Sequence, residues 1–345
     1  MGHDLRSLLP GLAIAGLVGG VAFSLAALVR TGPWEIPVSA ALLAILAGLA
    51  LTGFAQRRGH WQPGLSLAAG KLLKLGVMLI GLRLSLAEIG ALGVEAALVA
   101  VLAIFSGLAI MTILARAFGL SGRLTALLGV GTAICGASAI AATAPGLKAR
   151  SEETGYAVAC VALFGMAATL AWPWLFHGLL GDARLVGLAL GASIHDTAQV
   201  TGAALLYDEI HASDQALEAA TVTKLLRNLG MLVVIPAVVA FMNRGSTEGG
   251  GGLPAFPLFV LGFVGFSALR SLGDRLLGEH PVWEGLILVA GQISTLLIAV
   301  ALAAVGMGIR AAGLRGLGWR PAAAALLTAL AMAAAILAWL AWSPV

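Results

Sequence analysis

The sequence predicts an all-α, polytopic membrane protein, one transporter-like domain over residues 1–345 with about eleven transmembrane helices. Three observations carry that prediction. Of the 345 residues 60% are hydrophobic and 10% charged, against roughly 25% charged in a typical soluble domain. Mean hydropathy is +1.01, and apolar runs of about twenty residues, the length that crosses a hydrocarbon core, recur from end to end. The 46 glycines are about twice the average usage, and in a membrane that excess favours closely approaching backbones and interrupted helices. A soluble globular protein is excluded, and no sizeable extramembrane domain is left over. The net charge of +4 comes from 20 Lys and Arg against 16 Asp and Glu. The basic residues are scattered over many short loops, so the positive-inside effect explains them and nucleic-acid binding is excluded as a main role.

Breaks at charged, Gly-rich and Pro-rich stretches place spans near 11–29, 36–55, 65–86, 94–115, 124–144, 155–177, 185–206, 219–242, 254–269, 282–308 and 321–342. The first apolar run, Gly11 to Val29, is long for a signal-peptide core and is followed by further spans, so it is the first helix. Asn243 to Gly252, NRGSTEGGGG, is the clearest flexible linker and joins two spans. Lys and Arg counted over alternate loops favour, modestly, a cytoplasmic N-terminus. Trp34, Trp172, Trp174, Trp283 and Trp319 stand near span ends as interfacial anchors. Cys135 and Cys160 both fall inside apolar segments, which argues against a structural disulfide or a thiolate metal site. A weak internal repeat relates Gly81–Gly93 to Gly306–Gly318. The spans that these stretches terminate are third and tenth, the odd separation that an inverted repeat demands.

Chemistry concentrates in three spans. The fifth contains GTAICGASAIAAT from Gly131 to Thr143, where small and hydroxylated residues (Thr132, Cys135, Ser138) replace the usual Leu and Val. Gly136 sits in mid-span, where helix propensity is poor. A broken helix is expected there, the competing reading being a continuous helix packed through small residues. The seventh span carries GASIHDTAQV, with His195 and Asp196 in the middle of an apolar stretch. Ionisable residues at that depth are expensive and mark function by default. Asp196 and Gln199 have N-cap and N3 spacing, so a second half-helix is expected to start there, its first turn at Thr197. The N-terminus of such a half-helix presents free N–H groups to an anion.

A carboxylate engaged as a cap has its charged form stabilised, which makes Asp196 a poor proton carrier and His195 the better one. Alternatively, His195 hydrogen-bonds one helix to another. In the eighth span Lys224, Arg227 and Asn228 share a helix face. Two cations beside an apolar run form either an anion site facing the interior or a pair snorkelling to the surface. A salt bridge from Lys224 to Asp196 is a third arrangement. Asp214 and Glu218 are expected in a loop, and Arg83 either enters a cavity or snorkels. No phosphate loop, zinc triad or nucleophile elbow occurs, which weakens an ATP-driven pump or a hydrolase.

At these segments the sequence resembles the YeiH-type family of bacterial inner-membrane proteins assigned to sulfate export. The matching pieces are GLRLSLAEIG at Gly81, GTAICGASAIAAT at Gly131, GASIHDTAQV at Gly191, TVTKLLRNLGML at Thr221 and ALAAVGMGI at Ala301. They follow one another over most of the chain. The family pattern accepts Glu at the Asp196 position, which suits an acidic role there. The resemblance implies a secondary transporter related in architecture to bile-acid and sodium/proton antiporter folds, with crossed broken helices near the bilayer midplane.

The expected function is therefore export of a small inorganic or organic anion, sulfate first, by alternating access in the bacterial inner membrane. Thr132, Cys135, Ser138, Thr197, Gln199, Lys224, Arg227 and Asn228 are the expected substrate ligands, and His195 and Asp196 the proton-coupling pair. No cofactor, metal or nucleic acid is expected. The bilayer and a second copy of the chain are the partners that this reading admits. A passive anion channel or a cation/proton antiporter is the alternative. An intramembrane enzyme using Cys135 with His195 stands behind both, and full activity in a Cys135→Ala protein would remove it.

Overall fold

The computed structural model describes residues 5–31, 40–83, 85–243, 258–278, 280–308 and 317–342. Among them every regular element is helical: α1 (Leu5–Thr31), α2 (Ala40–Ala50), α3 (Thr52–Arg57), α4 (Gln62–Leu67), α5 (Leu73–Ile80), α6 (Leu86–Phe118), α7 (Gly122–Val130), α8 (Ala137–Thr143), α9 (Ser151–Leu180), α10 (Ala183–Ser193), α11 (Thr197–His211), α12 (Gln215–Leu229), α13 (Met231–Met242), α14 (Leu258–Leu277), α15 (Pro281–Gly308) and α16 (Trp319–Trp342). Within the described residues, each span expected from the sequence falls on one helical segment or on consecutive ones. Seven segments among the described residues are long and apolar enough to cross a membrane: Ser7–Val29, Gly59–Arg83, Leu86–Phe118, Glu152–Leu180, Gln215–Met242, Pro281–Gly308 and Trp319–Trp342. The outward residues of α6 include Val94 (71% exposed), Phe105 (69%) and Ile113 (63%), a stripe suited to lipid. The protein is an all-α, multi-pass membrane protein.

The chain divides into two compact units, each interleaving three stretches of sequence. Lipid tails are as apolar as leucine, so packing inside such units relies on close van der Waals contact and hydrogen bonds. The unit of residues 1–92, 201–218 and 258–309 is built on α15, which packs against α1, α2 and α5. A Cβ on Gly306 would fall 2.7 Å from the Ile45 carbonyl oxygen, and Thr52 Oγ1 donates to the Gly306 carbonyl at 2.9 Å. Ser294 Oγ likewise donates to the Gly76 carbonyl at 2.7 Å, so the third and tenth spans, which end in the internal repeat, lie against each other. Residues 309–316 of the repeat's second copy lie outside the described residues, as do 244–252 of the linker and Trp34.

One anchor expectation is corrected in this unit. Trp283 is buried, and its indole N–H donates to Asp274 Oδ1 at 2.8 Å, so it ties α15 to α14 instead of facing an interface. Trp174 and Trp319, by contrast, are exposed.

The unit of residues 93–200, 219–257 and 310–345 holds both helix breaks. Met111, Leu127, Leu128, Ile140, Tyr156 and Val161 form its larger apolar cluster. Tyr156 stitches in the last helix, its hydroxyl donating to the Gly318 carbonyl and accepting from Ala322 N. A second cluster, with Val130, Ala133, Ile134, Cys135, Ala139, Met231 and Ile235, packs α13 against the segment around α7 and α8. The interrupted helices begin at side-chain caps: Ser121 Oγ accepts from Leu124 N at 3.3 Å and Asp182 Oδ1 from Leu185 N at 2.9 Å. Those caps satisfy N–H groups that the helix leaves without partners.

Candidate functional site at two helix breaks

The first break follows α7. Its last turn widens into a π turn over Gly131–Cys135, and Gly136 then takes φ +64° and ψ −128° before α8 begins. Only glycine adopts that conformation without strain, because a Cβ would clash with its own backbone. The sequence expectation of a broken helix holds here, and a continuous small-residue helix does not.

The second break separates α10 from α11. Ile194 is extended, with φ −82° and ψ 143°, and helix resumes at Thr197. Asp196 Oδ1 accepts from Ala198 N at 2.9 Å, while Gln199 Oε1 accepts from Asp196 N at 3.2 Å. This is the reciprocal cap that the spacing predicts. Gln199 is itself held from α9, where its Nε2 donates to the Ala162 carbonyl at 3.0 Å. Gly165 leaves the room for it, since a Cβ there would run into the Gln199 amide.

The two breaks meet. A Cβ on Gly136 would lie 3.5 Å from Asp196 Cβ and 3.5 Å from the His195 carbonyl oxygen. Both α7 with its π turn and α10 therefore direct C-terminal carbonyls toward the meeting point. Such carbonyls lack intrahelical donors and form the negative end of each helix dipole.

The basic pair on α12 answers them. Lys224 Nζ donates to the carbonyls of Ile134 (2.9 Å), Ile194 (2.9 Å) and His195. Arg227 donates through Nε to Ala133, through Nη2 to Thr132, and through Nη1 to Gly191, Ala192 and Ile194. Lys224 is 1% and Arg227 0% exposed, so snorkelling is corrected. The Lys224–Asp196 salt bridge is also corrected: an ammonium has three donors, and all three go to main-chain oxygens. The cations share one helix face, as expected, yet each spends its hydrogen bonds on the breaks and acts on anything nearby through its field.

The remaining sequence-selected residues sort by access. Asp196 and Thr197 are half-buried and form the accessible edge of the second break, and Ser138 is exposed in the first turn of α8, two residues after Gly136. Thr132, Cys135, His195, Gln199 and Asn228 are buried behind it. Asn228 Nδ2 donates to Thr197 Oγ1 at 3.3 Å. Thr132 Oγ1, His195 Nδ1 and Asn228 Oδ1 are buried without a hydrogen-bond partner among the described residues. No hydrogen bond joins Cys135 to His195 among those residues.

Sequence comparison places the chain among membrane proteins. The profile of the family described as Conserved hypothetical protein 698 matches residues 10–325. The chain belongs to this family. A UPF0324 membrane protein of Bradyrhizobium diazoefficiens is 32% identical over 345 residues, covering 98% of this chain and 94% of the relative. The UPF0324 membrane protein TauZ of Paracoccus denitrificans is 36% identical over 316 residues, covering 88% and 86%. A UPF0324 membrane protein of Pseudomonas aeruginosa is 29% identical over 355 residues, covering 98% and 92%. The family membership bears out the YeiH-type resemblance and places the chain among bacterial multi-pass membrane proteins.

Several charged residues gain roles that the sequence pattern does not assign. Arg184 pairs with Glu95, tying the start of α10 to α6. The sole signal is an acid inside the apolar fourth span. In the other unit, the Asp208 carboxylate accepts from Ala216 N (3.2 Å) and Leu217 N (2.8 Å), capping α12. Glu218, expected in a loop, lies in the first turn of α12. Arg83 is half-buried and near enough to Asp208 and Glu218 to act on both electrostatically.

Proposed function

We propose that the protein is a secondary transporter of a small anion, sulfate first, working by alternating access around the two helix breaks. One observation supports this above the others: two buried cations stand against one carboxylate behind an accessible edge, which leaves surplus positive charge where a ligand can approach. In a low-dielectric interior that surplus favours an anion. Sulfate is fully ionised and only accepts hydrogen bonds, so it needs fixed donors. The hydroxyls of Ser138 and Thr197 supply donors at the edge, and the N-terminal end of α11 adds dipole potential. Lys224 and Arg227 contribute field instead of contact. A membrane potential on the order of 100 mV, negative inside, also drives a dianion outward by about 4.6 kcal/mol.

The proton-coupling role falls to Asp196 in this reading. A proton carrier has to exchange with water, and Asp196 is half-buried whereas His195 is 1% exposed; in this reading access outweighs the preference for the charged form that the cap gives Asp196. An ionised Asp196 opposes an anion at the edge, and protonation removes the opposition. The same half-buried carboxylate favours a second reading, cation/proton antiport, in which Asp196 is the ion ligand.

Purified protein in liposomes, loaded with labelled sulfate, tests both. Saturable efflux that falls at least tenfold in a Ser138→Ala, Thr197→Val protein is the expected result. Efflux that does not saturate would identify a channel. Proton movement that follows a metal cation and ignores sulfate would establish the antiport reading in its place.

A further inference from the structure

The placement of Lys224 carries an inference about coupling that deepens the transport reading and, in its flux arm, rests on it. In transporters with broken helices, unwound carbonyls and the C-terminal ends of half-helices are the ligands that hold a sodium ion taken from solution. Here such carbonyls come from both breaks, Ile134 on one side and Ile194 and His195 on the other, and converge on a single point. The ammonium of Lys224 occupies that point, with two contacts of 2.9 Å and one shorter. We propose that Lys224 is a tethered replacement for a coupling cation, holding the two breaks together permanently, so that the protein works without sodium.

Three features support the replacement. The match of donors to acceptors is complete, three N–H groups to three carbonyls, so no carbonyl of this set is left for an ion. The ammonium is 1% exposed, so the cluster is shut to exchange with solution. Arg227, one helical turn away, fills the neighbouring carbonyls of Thr132, Ala133, Gly191 and Ala192, and its charge repels a further cation. A tether also fixes the geometry: the α12 backbone sets where the charge sits, so the crossing stays assembled through every step of a transport cycle.

The test uses the full chain in detergent, with unfolding temperature read at equal ionic strength in sodium, potassium and choline chloride. Wild type is expected to unfold at the same temperature in all three. Lys224→Ala opens the carbonyl cluster, so that protein is expected to unfold at a lower temperature in choline and to regain much of the loss, saturably, in sodium or methylammonium. Such linkage stabilisation grows with the logarithm of ligand concentration. Recovery of folded Lys224→Ala protein only when it is purified in one of the small cations counts equally in favour. A saturable sodium response of wild type overturns the proposal whether or not the variant folds. So does a variant that no small cation restores. In liposomes, wild-type sulfate efflux is expected to be unchanged when potassium replaces sodium, and sodium-stimulated efflux also overturns the proposal. Absence of any efflux, with a salt-indifferent wild type and a cation-rescued variant, removes the transport reading and leaves the role of Lys224 standing.

Discussion

The two helix breaks reach the same outcome by different physics. The first is made by backbone: Gly136 adopts a conformation closed to other residues, and no side chain caps α8. The second is made by side chains: Ile194 is merely extended, and Asp196 and Gln199 cap the helix that follows. One break therefore depends on the absence of a Cβ and the other on the presence of a carboxylate and an amide. Only the second carries an ionisable group at its accessible edge, which is why the chemistry is assigned to Asp196 and the architecture to Gly136. The α12 cations are indifferent to that distinction, because they bind what both breaks expose, the main-chain carbonyls.

That difference can be attacked in order of expected effect. Arg227→Met leaves four carbonyls from both breaks, those of Thr132, Ala133, Gly191 and Ala192, without that donor, and at about 1–3 kcal/mol for a buried acceptor left unpaired it is expected to cost at least about 3 kcal/mol, read as a fall in unfolding temperature or as failure to recover folded protein. Gly136→Ala is expected to cost about 1–3 kcal/mol through backbone strain, with a matching drop in unfolding temperature. Asp196→Ala removes one cap and is expected to cost about 0.5–2 kcal/mol, while Asp196→Asn keeps an acceptor and much of that stability. A larger loss from Asp196→Ala than from Gly136→Ala would break the division between a backbone-made and a side-chain-made break. Asp196→Asn also separates cap from charge, and loss of pH dependence in sulfate efflux with unfolding temperature retained would sharpen the assignment. The smallest stability effect belongs to Ser138→Ala, within about 0.5 kcal/mol at an exposed position. Its predicted signature is a raised half-saturation concentration for sulfate, and an unaltered one would remove Ser138 from the edge.

Much of this architecture is legible in the amino-acid sequence. Long apolar runs dictate helices because a bilayer offers no other partner for backbone polar groups, and within the described residues each expected span falls on helix. Gly136 in mid-span and the Asp196–Gln199 spacing announce both breaks, since backbone freedom and capping are local properties. The charged pair is legible as important and illegible in role. Its ligands are main-chain carbonyls, which every residue possesses, so no side-chain pattern marks Ile134 or Ile194 as partners of Lys224. Trp283 is misplaced for a related reason: an indole near a span end looks the same whether lipid or the Asp274 carboxylate receives its N–H.

The sequence by itself thus determined the membrane class, the helical segments and the two points where helices break, because each follows from periodicity, length or the conformational range of one residue. The tertiary structure alone decided that the breaks meet, that Lys224 and Arg227 spend their hydrogen bonds on the breaks, and that Asp196 and Thr197 stay accessible while His195 is buried. Those facts depend on which distant backbone atoms come within hydrogen-bond distance, and packing sets that in three dimensions.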